Sequence, residues 1–459
     1  MKVQRTTLLV VAGLIGLAFL LARPPNSMTG KPDFDAFYCA GKVLASGGDP
    51  YRYGSMHRCE TTNLQTITPH VIVPAPLPPY GIAEFVPLSM MPYAQASVVW
   101  FLVLIGSAFI IIWAIVELTG LPLLLIAPCV LLSILFQPLT VSGLPPIPIA
   151  LLTAAALAVD RGRHATAAVL LGIACIQPHV AAGPVLAAFL VVPRMRLHLA
   201  IVGAALLAIS LIAGGTVLNH EYLSAVLPAH ALSEIGAYGQ YSLTALLHLF
   251  GASDRSALLI GTLQYVAFLI AGIGLAYRLY AKVPGSVVLA PLACGVTGGT
   301  FIHLPEVSGA LPFAFALLAA QESICAWLGV ALLAIPWQIV LEDKLAVMAG
   351  VVAFVLIYYG GHRKPILAGA VSIALTVALW YAQGLVPGQR PIRALPSVPD
   401  SALAEAGWAR FSQQLPPTAF YWPSHVLTFL GLAFVYWSAL VIVRSQMRFR
   451  DRGLGATMG

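Results

Sequence analysis

Ala94-Gln95-Ala96-Ser97-Val98-Val99-Trp100-Phe101-Leu102-Val103-Leu104-Ile105-Gly106-Ser107-Ala108-Phe109-Ile110-Ile111-Ile112-Trp113-Ala114-Ile115-Val116-Glu117-Leu118 carries no charge before Glu117. A helix needs about 20 such residues to cross the hydrocarbon of a bilayer. The strands of a membrane barrel would alternate apolar and polar residues instead. Outward from this stretch the same kind of run recurs at 6–22, 120–140, 145–159, 198–218, 256–280, 286–303, 324–341, 345–360, 366–384 and 424–444. Shorter runs at 165–176, 180–192 and 308–320 flank breaks at Gln177-Pro178-His179 and around Pro305, as half-helices or hairpins would. The reading is an all-α polytopic transmembrane bundle, one integral membrane domain over residues 1–459, with about 12–14 membrane segments.

Composition agrees. The chain has 459 residues, 59% apolar and 9% charged, and its mean hydropathy is +0.89. A soluble chain carries about 25% charged residues, so a soluble multidomain enzyme is excluded, and so is a disordered chain. The net charge of +7 would suggest nucleic acid in a soluble domain. Here its distribution follows the excess of Lys and Arg in cytoplasmic loops. Threading the runs alternately puts fourteen bases and four acids inside, and ten bases and thirteen acids outside, which reproduces the overall +7. Both termini then lie in the cytoplasm, with a basic tail at 445–459. Residues 23–93 form a long first external loop, and 219–255 and the Pro-rich 385–423 are also external. The run at 6–22 follows Lys2 and Arg5, lacks a clean small-x-small cleavage site and continues into Arg23-Pro24-Pro25. It reads as a retained first span rather than a signal peptide.

Within the first loop, residues 31–46 read as an amphipathic helix at the outer membrane surface. Phe34, Phe37, Tyr38, Gly41 and Leu44 recur at helical spacing, and Gly47-Gly48-Asp49-Pro50 ends it. Asp33 or Asp35 stands in its first turn. One role there is capping, and the other is a carboxylate able to accept a proton or orient a hydroxyl. Cys39 and Cys59, on the oxidising side, are candidates for a disulfide. Cys129, Cys175, Cys294 and Cys325 lie in apolar runs as packing residues.

The pattern Asp33-Phe34-x-x-Phe37-Tyr38-x-Ala40-Gly41, followed by Leu44 and Gly48-Asp49-Pro50-Tyr51, resembles the first external loop of the bacterial glycosyltransferases of family 87. Pro76-Leu77-Pro78-Pro79 with Val86-Pro87-Leu88 and Pro92 resembles that family's next motif. Ile176-Gln177-Pro178-His179 resembles its Lys-Pro motif with Gln in place of Lys, and Gly239-Gln240-Tyr241-Ser242-Leu243 an Asn-Gln-Ser-Leu element. The resemblance covers roughly residues 5–320, while 385–423 matches nothing in it. It implies a GT-C fold and transfer of a sugar, mannose foremost, from a polyprenyl-phosphate donor to a glycolipid or glycan acceptor outside the bacterial inner membrane. It implies an acidic base in the first loop, at Asp33 with Asp35 as the alternate. The family's later Ser-Pro motif, followed by His or Asp, is replaced here by Gly299-Thr300-Phe301-Ile302-His303-Leu304-Pro305-Glu306. His303 and Glu306 are then candidate partners of the base. External groups for the leaving phosphate or substrate are Arg52, Arg58, Arg255, Gln177, His179 and Tyr38.

No spacing for a metal site is present, nor a Walker or Gly-x-Gly-x-x-Gly phosphate loop. No metal or cofactor is expected, and a nucleotide-sugar donor is disfavoured. The glycines at 295–299 suit close helix packing. Two rival classes share the helical pattern: a lipid or glycan transporter, and an inactive structural subunit of an envelope-assembly complex. The absence of an internal repeat and the large first loop speak against a carrier.

Overall fold

Pro92 stands at the N-cap, and the 94–118 run becomes the helix Tyr93–Thr119, ended by Gly120 in the left-handed conformation at φ 66°. In the computed structural model, which describes residues 32–63, 72–237, 239–335, 363–383, 398–412 and 422–455, this helix shows the logic of the whole molecule. Ala96, Trp100, Leu104, Ala108, Ile111 and Ile115, at three- and four-residue spacing, face the protein and are buried. Leu102, Phe109 and Trp113 point outward with 60%, 45% and 50% of their surface exposed. Water would penalise such a face, whereas lipid does not.

Four helical segments are long and apolar enough to cross a membrane: Tyr93–Thr119, Pro193–Glu234, Asp254–Leu279 and His425–Ser445. Seven shorter apolar helices accompany them among the described residues, including Pro146–Asp160, His164–Ala174, Pro178–Val191 and Ser286–Gly298. Among the described residues there is no strand, only two isolated bridges. The molecule is an all-α membrane bundle. The expected span 6–22, the run 345–360 and most of the Pro-rich segment 385–423 lie outside the described residues.

Every residue of Ser286–Gly298 is buried. This helix packs on Asp254–Leu279, Pro178–Val191 and Pro146–Asp160. The approach is close enough that a Cβ on Gly272 would stand 2.8 Å from the Cα of Pro291, so the contact requires glycine. The breaks expected from the short runs are present. His164–Ala174 stops before Gln177, and Pro178–Val191 restarts with Pro178 in its first turn. Ser286–Gly298 stops before a loop that restarts at Leu304 with Pro305. Proline lacks the N–H that would continue the ladder and disfavours helix in the residue before it. In contrast, the stretch after 218 does not open into a loop at once. Helical structure continues from Arg196 through Glu234, with Gly215 at φ 57° as its break.

The first-loop helix Pro32–Ala45 forms as the spacing predicts, and Gly47 follows it at φ 74°. Its setting differs from the expected one-sided surface helix. Phe34, Ala36, Phe37, Tyr38, Cys39 and Ala40 are all buried, so neighbours cover residues 34–40 on all sides, while Lys42 and Ala45 in the last turn are exposed. Tyr53–Asn63 and the short turns around 79–89 pack on it. A disulfide joins Cys39 to Cys59. A Cβ on Gly41 would meet the backbone of Phe85 at 2.9 Å. Phe34 stacks on Trp100 with 5.4 Å between centroids, and Phe37 on Phe85 at 5.0 Å. This aromatic clamp fixes the helix and therefore the direction in which its first turn points.

Candidate active site

A cavity of about 530 Å³ opens where the first turn of Pro32–Ala45 meets the two helix breaks. Asp33, Gln177, His179, His303 and Glu306 all line it, although they come from three distant parts of the chain. Gly143 lies beside Asp33: a Cβ there would stand 3.0 Å from Asp33 Oδ2. The preceding Ser142 holds φ 59°, a conformation that costs a non-glycine residue, and its carbonyl accepts from Trp100 Nε1 at 2.9 Å. Among the described residues no hydrogen-bond donor meets the Asp33 carboxylate. Burial pushes its pKa up to about 7; His303 opposes that shift, and Glu234 and Glu306 add to it. A carboxyl poised there can exist in either protonation state near neutral pH.

The rest of the polar lining is a network. His179 Nε2 lies 3.0 Å from Glu306 Oε1, and Gln177 Nε2 donates to the same oxygen at 3.4 Å. Glu306 Oε2 accepts from the backbone N–H of His303 at 2.8 Å. His303 Nε2 lies 3.2 Å from Glu234 Oε2, which also accepts from Gln240 Nε2 at 2.9 Å. Gln240 Oε1 accepts from the Ile302 N–H at 2.8 Å, which fixes the orientation of its amide. Trp408 Nε1 donates to Glu234 Oε1 at 2.5 Å. Burial alone would strip His303 of its proton. Hydrogen bonds to Glu234 and Glu306 outweigh that and hold its pKa well above the ordinary histidine value. The protonated form of the ring is thereby favoured, and the ring lies between two acids. Tyr265 steadies the same wall by donating to the His179 carbonyl at 2.7 Å.

The remaining sequence candidates do not reach the cavity. Asp35 is buried in the same first turn, on the other side of the helix, where Tyr93 Oη donates to it. Tyr38 Oη donates to the Met91 carbonyl at 2.9 Å and anchors the loop. Arg52 pairs with Asp49 at 2.9 Å and with Glu221, and donates to the Ser401 carbonyl at 3.2 Å. Arg58 pairs with Asp400 at 3.4 Å on the surface. Arg255 is exposed in the first turn of Asp254–Leu279. Arg52 and Arg58 hold structure together through Glu221 and Asp400, acids far away in sequence, which their spacing alone does not show. Among the described residues no Lys or Arg lines the cavity.

Conversely, Glu234, His230 and Trp408 line the cavity without having been singled out. Glu234 had one visible signal, an acid in the external stretch 219–255. Trp408 had none, because it meets Glu234 across 174 residues of chain.

No curated protein matches the chain. A family model does: Glycosyltransferase family 87, over residues 77–305. The matched region carries Gln177, His179, Glu234, Gln240 and His303, with Asp33 before it and Glu306 one residue beyond its end. The helical membrane bundle, the cavity at its broken helices and this match lead to one assignment: the chain belongs to glycosyltransferase family 87 and is a membrane glycosyltransferase.

Proposed function

We propose that the chain transfers a sugar, mannose foremost, from a polyprenyl-phosphate donor to a hydroxyl of a glycolipid or glycan acceptor, with inversion, on the extracytoplasmic side of the bacterial inner membrane. The observation that carries this reading is Asp33. It is an acid in the cavity, without a hydrogen-bond partner among the described residues, and its pKa is near 7. Asp33 takes the proton of the acceptor hydroxyl as the oxygen attacks the anomeric carbon. The bond from that carbon to the phosphate oxygen breaks, and its electron pair leaves with the polyprenyl phosphate. One displacement of this kind inverts the centre.

The leaving phosphate needs donors where its charge develops. With Arg52, Arg58 and Arg255 elsewhere, the histidines of the cavity take that part. His303 is charged and oriented by Glu234 and Glu306, and His179 is held by Glu306. Gln177, where relatives carry Lys, donates to Glu306 and lowers the positive charge of this wall relative to them. The charge asymmetry of the loops supports the external placement.

The test is transfer from radiolabelled polyprenyl-phosphomannose in membranes containing the full chain, with mass spectrometry of lipid that co-purifies. Label appearing in a new glycolipid or glycan supports the proposal. Movement of intact lipid-linked sugar across the bilayer, without transfer, would replace it with the transporter reading.

A further inference from the structure

Residues 398–412 lie outside the family match yet form part of the cavity wall. The segment is strapped to the first loop by backbone hydrogen bonds. Tyr53 N–H donates to the Ala402 carbonyl at 2.8 Å, Gly54 N–H to Asp400 at 3.0 Å and Ala404 N–H to Tyr51 at 2.9 Å. The helix Ala404–Ser412 then packs on Tyr53–Asn63 and Leu227–Glu234. Ser412 Oγ donates to the Ser233 carbonyl at 3.2 Å. The two side chains this strap offers to the cavity, Trp408 and Phe411, are both aromatic, with 5.3 Å between ring centroids.

An aromatic face carries negative potential. It repels a phosphate and attracts the polarised C–H groups that cover one face of a pyranose ring. Trp408 is further locked by its N–H bond to Glu234, so the plane of the indole is set before any ligand arrives. The carboxylate beside it adds to the repulsion of an anion. We infer that Trp408 and Phe411 form the acceptor subsite, and that this subsite takes a sugar ring rather than the phosphate of the donor. The inference rests on the transferase reading above and deepens it. The polar lining of the cavity would supply the chemistry, and the strap would choose the acceptor.

Binding tests this without requiring turnover. Hexyl mannoside, hexyl glucoside and hexyl galactoside are titrated by calorimetry into the full chain in lipid nanodiscs, with farnesyl phosphate as the donor-like probe. At least one glycoside should bind saturably. Trp408→Leu, which removes the aromatic face, should weaken it by about tenfold, the scale of a ring stacked on an aromatic side chain. Trp408→Phe keeps a face and loses the bond to Glu234, so it should cost less than about threefold. Farnesyl phosphate should bind both variants as it binds the wild type. Equal losses in the two variants, a parallel loss of farnesyl phosphate, or no saturable glycoside binding would each overturn the subsite. The transferase reading fails separately: Asp33→Asn should abolish transfer while glycoside binding persists, and transfer retained in that variant would sink the base and leave the subsite standing.

Discussion

The two walls of the cavity are built from opposite materials. One wall is polar: Asp33, His179, His303, Glu234 and Glu306 come from the first-loop helix, the helix breaks and the end of Leu227–Glu234. The other is the aromatic strap of Trp408 and Phe411. The polar wall is over-determined, since each Glu234 and Glu306 oxygen has at least one hydrogen-bond partner. The strap is joined to that network by a single side-chain bond from Trp408. Chemistry demands preorganised charge, and recognition demands shape. The comparison therefore predicts large losses of rate on the polar wall and losses of acceptor affinity on the strap.

The largest effect beyond Asp33 itself belongs to Glu306. Glu306→Gln leaves His179 and His303 without one of their counter-charges, and transfer should fall by about 10²- to 10³-fold at unchanged acceptor affinity. Steady-state rates against acceptor concentration measure this. A pure rise in acceptor KM would break the division between the walls.

The pH profile sharpens it. Asp33 acts only when deprotonated, so kcat/KM should rise with pH through about 7. His303 acts only when protonated, so activity should fall again at higher pH. His303→Gln should lose that alkaline limb and keep the acid one. Because the folded-state pKa values of both groups are raised, the stability Asp33 contributes is full below 3.8 and lost as pH rises through about 7, whereas that of His303 is full below 6.5 and lost as pH rises through its higher folded value. Thermal unfolding should therefore move downward between neutral and alkaline pH, and less so in His303→Gln.

Gly143→Ala should have a smaller effect. Its Cβ presses on Asp33 Oδ2 at 3.0 Å, which displaces the base by tenths of an ångström. The expected loss in kcat is about threefold to tenfold, with no change in glycoside binding. Smallest in rate is the disulfide. Cys39→Ser opens a loop of 20 residues and should cost about 3 kcal/mol of stability. The melting point drops, while the aromatic clamp of Phe34 and Phe37 keeps Asp33 in place and kcat nearly unchanged.

Much of the fold was legible because lipid imposes one rule on every span. Residues 94–118 and 256–280 announce themselves by apolar length, and the breaks at Pro178 and Pro305 by interruption of it. The polar residues at those breaks were legible for the same reason, since a chain break inside a bundle survives only where it serves a cavity. Asp33 stood out through the family resemblance, since its position in the first turn alone fits a cap equally well. What stayed hidden depends on pairing across the chain. Arg52 looked like a free external cation until Glu221 was seen beside it. Asp35 remained an alternate to Asp33 until burial against Tyr93 separated them. Trp408 carries no local pattern at all, and its role exists only because the strap folds back onto Glu234.

The central claim is that Asp33 is the catalytic base on the polar wall. Membranes containing the wild-type chain or Asp33→Asn, at matched amounts of folded protein, are given radiolabelled polyprenyl-phosphomannose and an alkyl glycoside acceptor. The account predicts that transfer falls by about 10³-fold or more in Asp33→Asn and that the protein elutes and melts as the wild type does. Wild-type rates in that variant would contradict it.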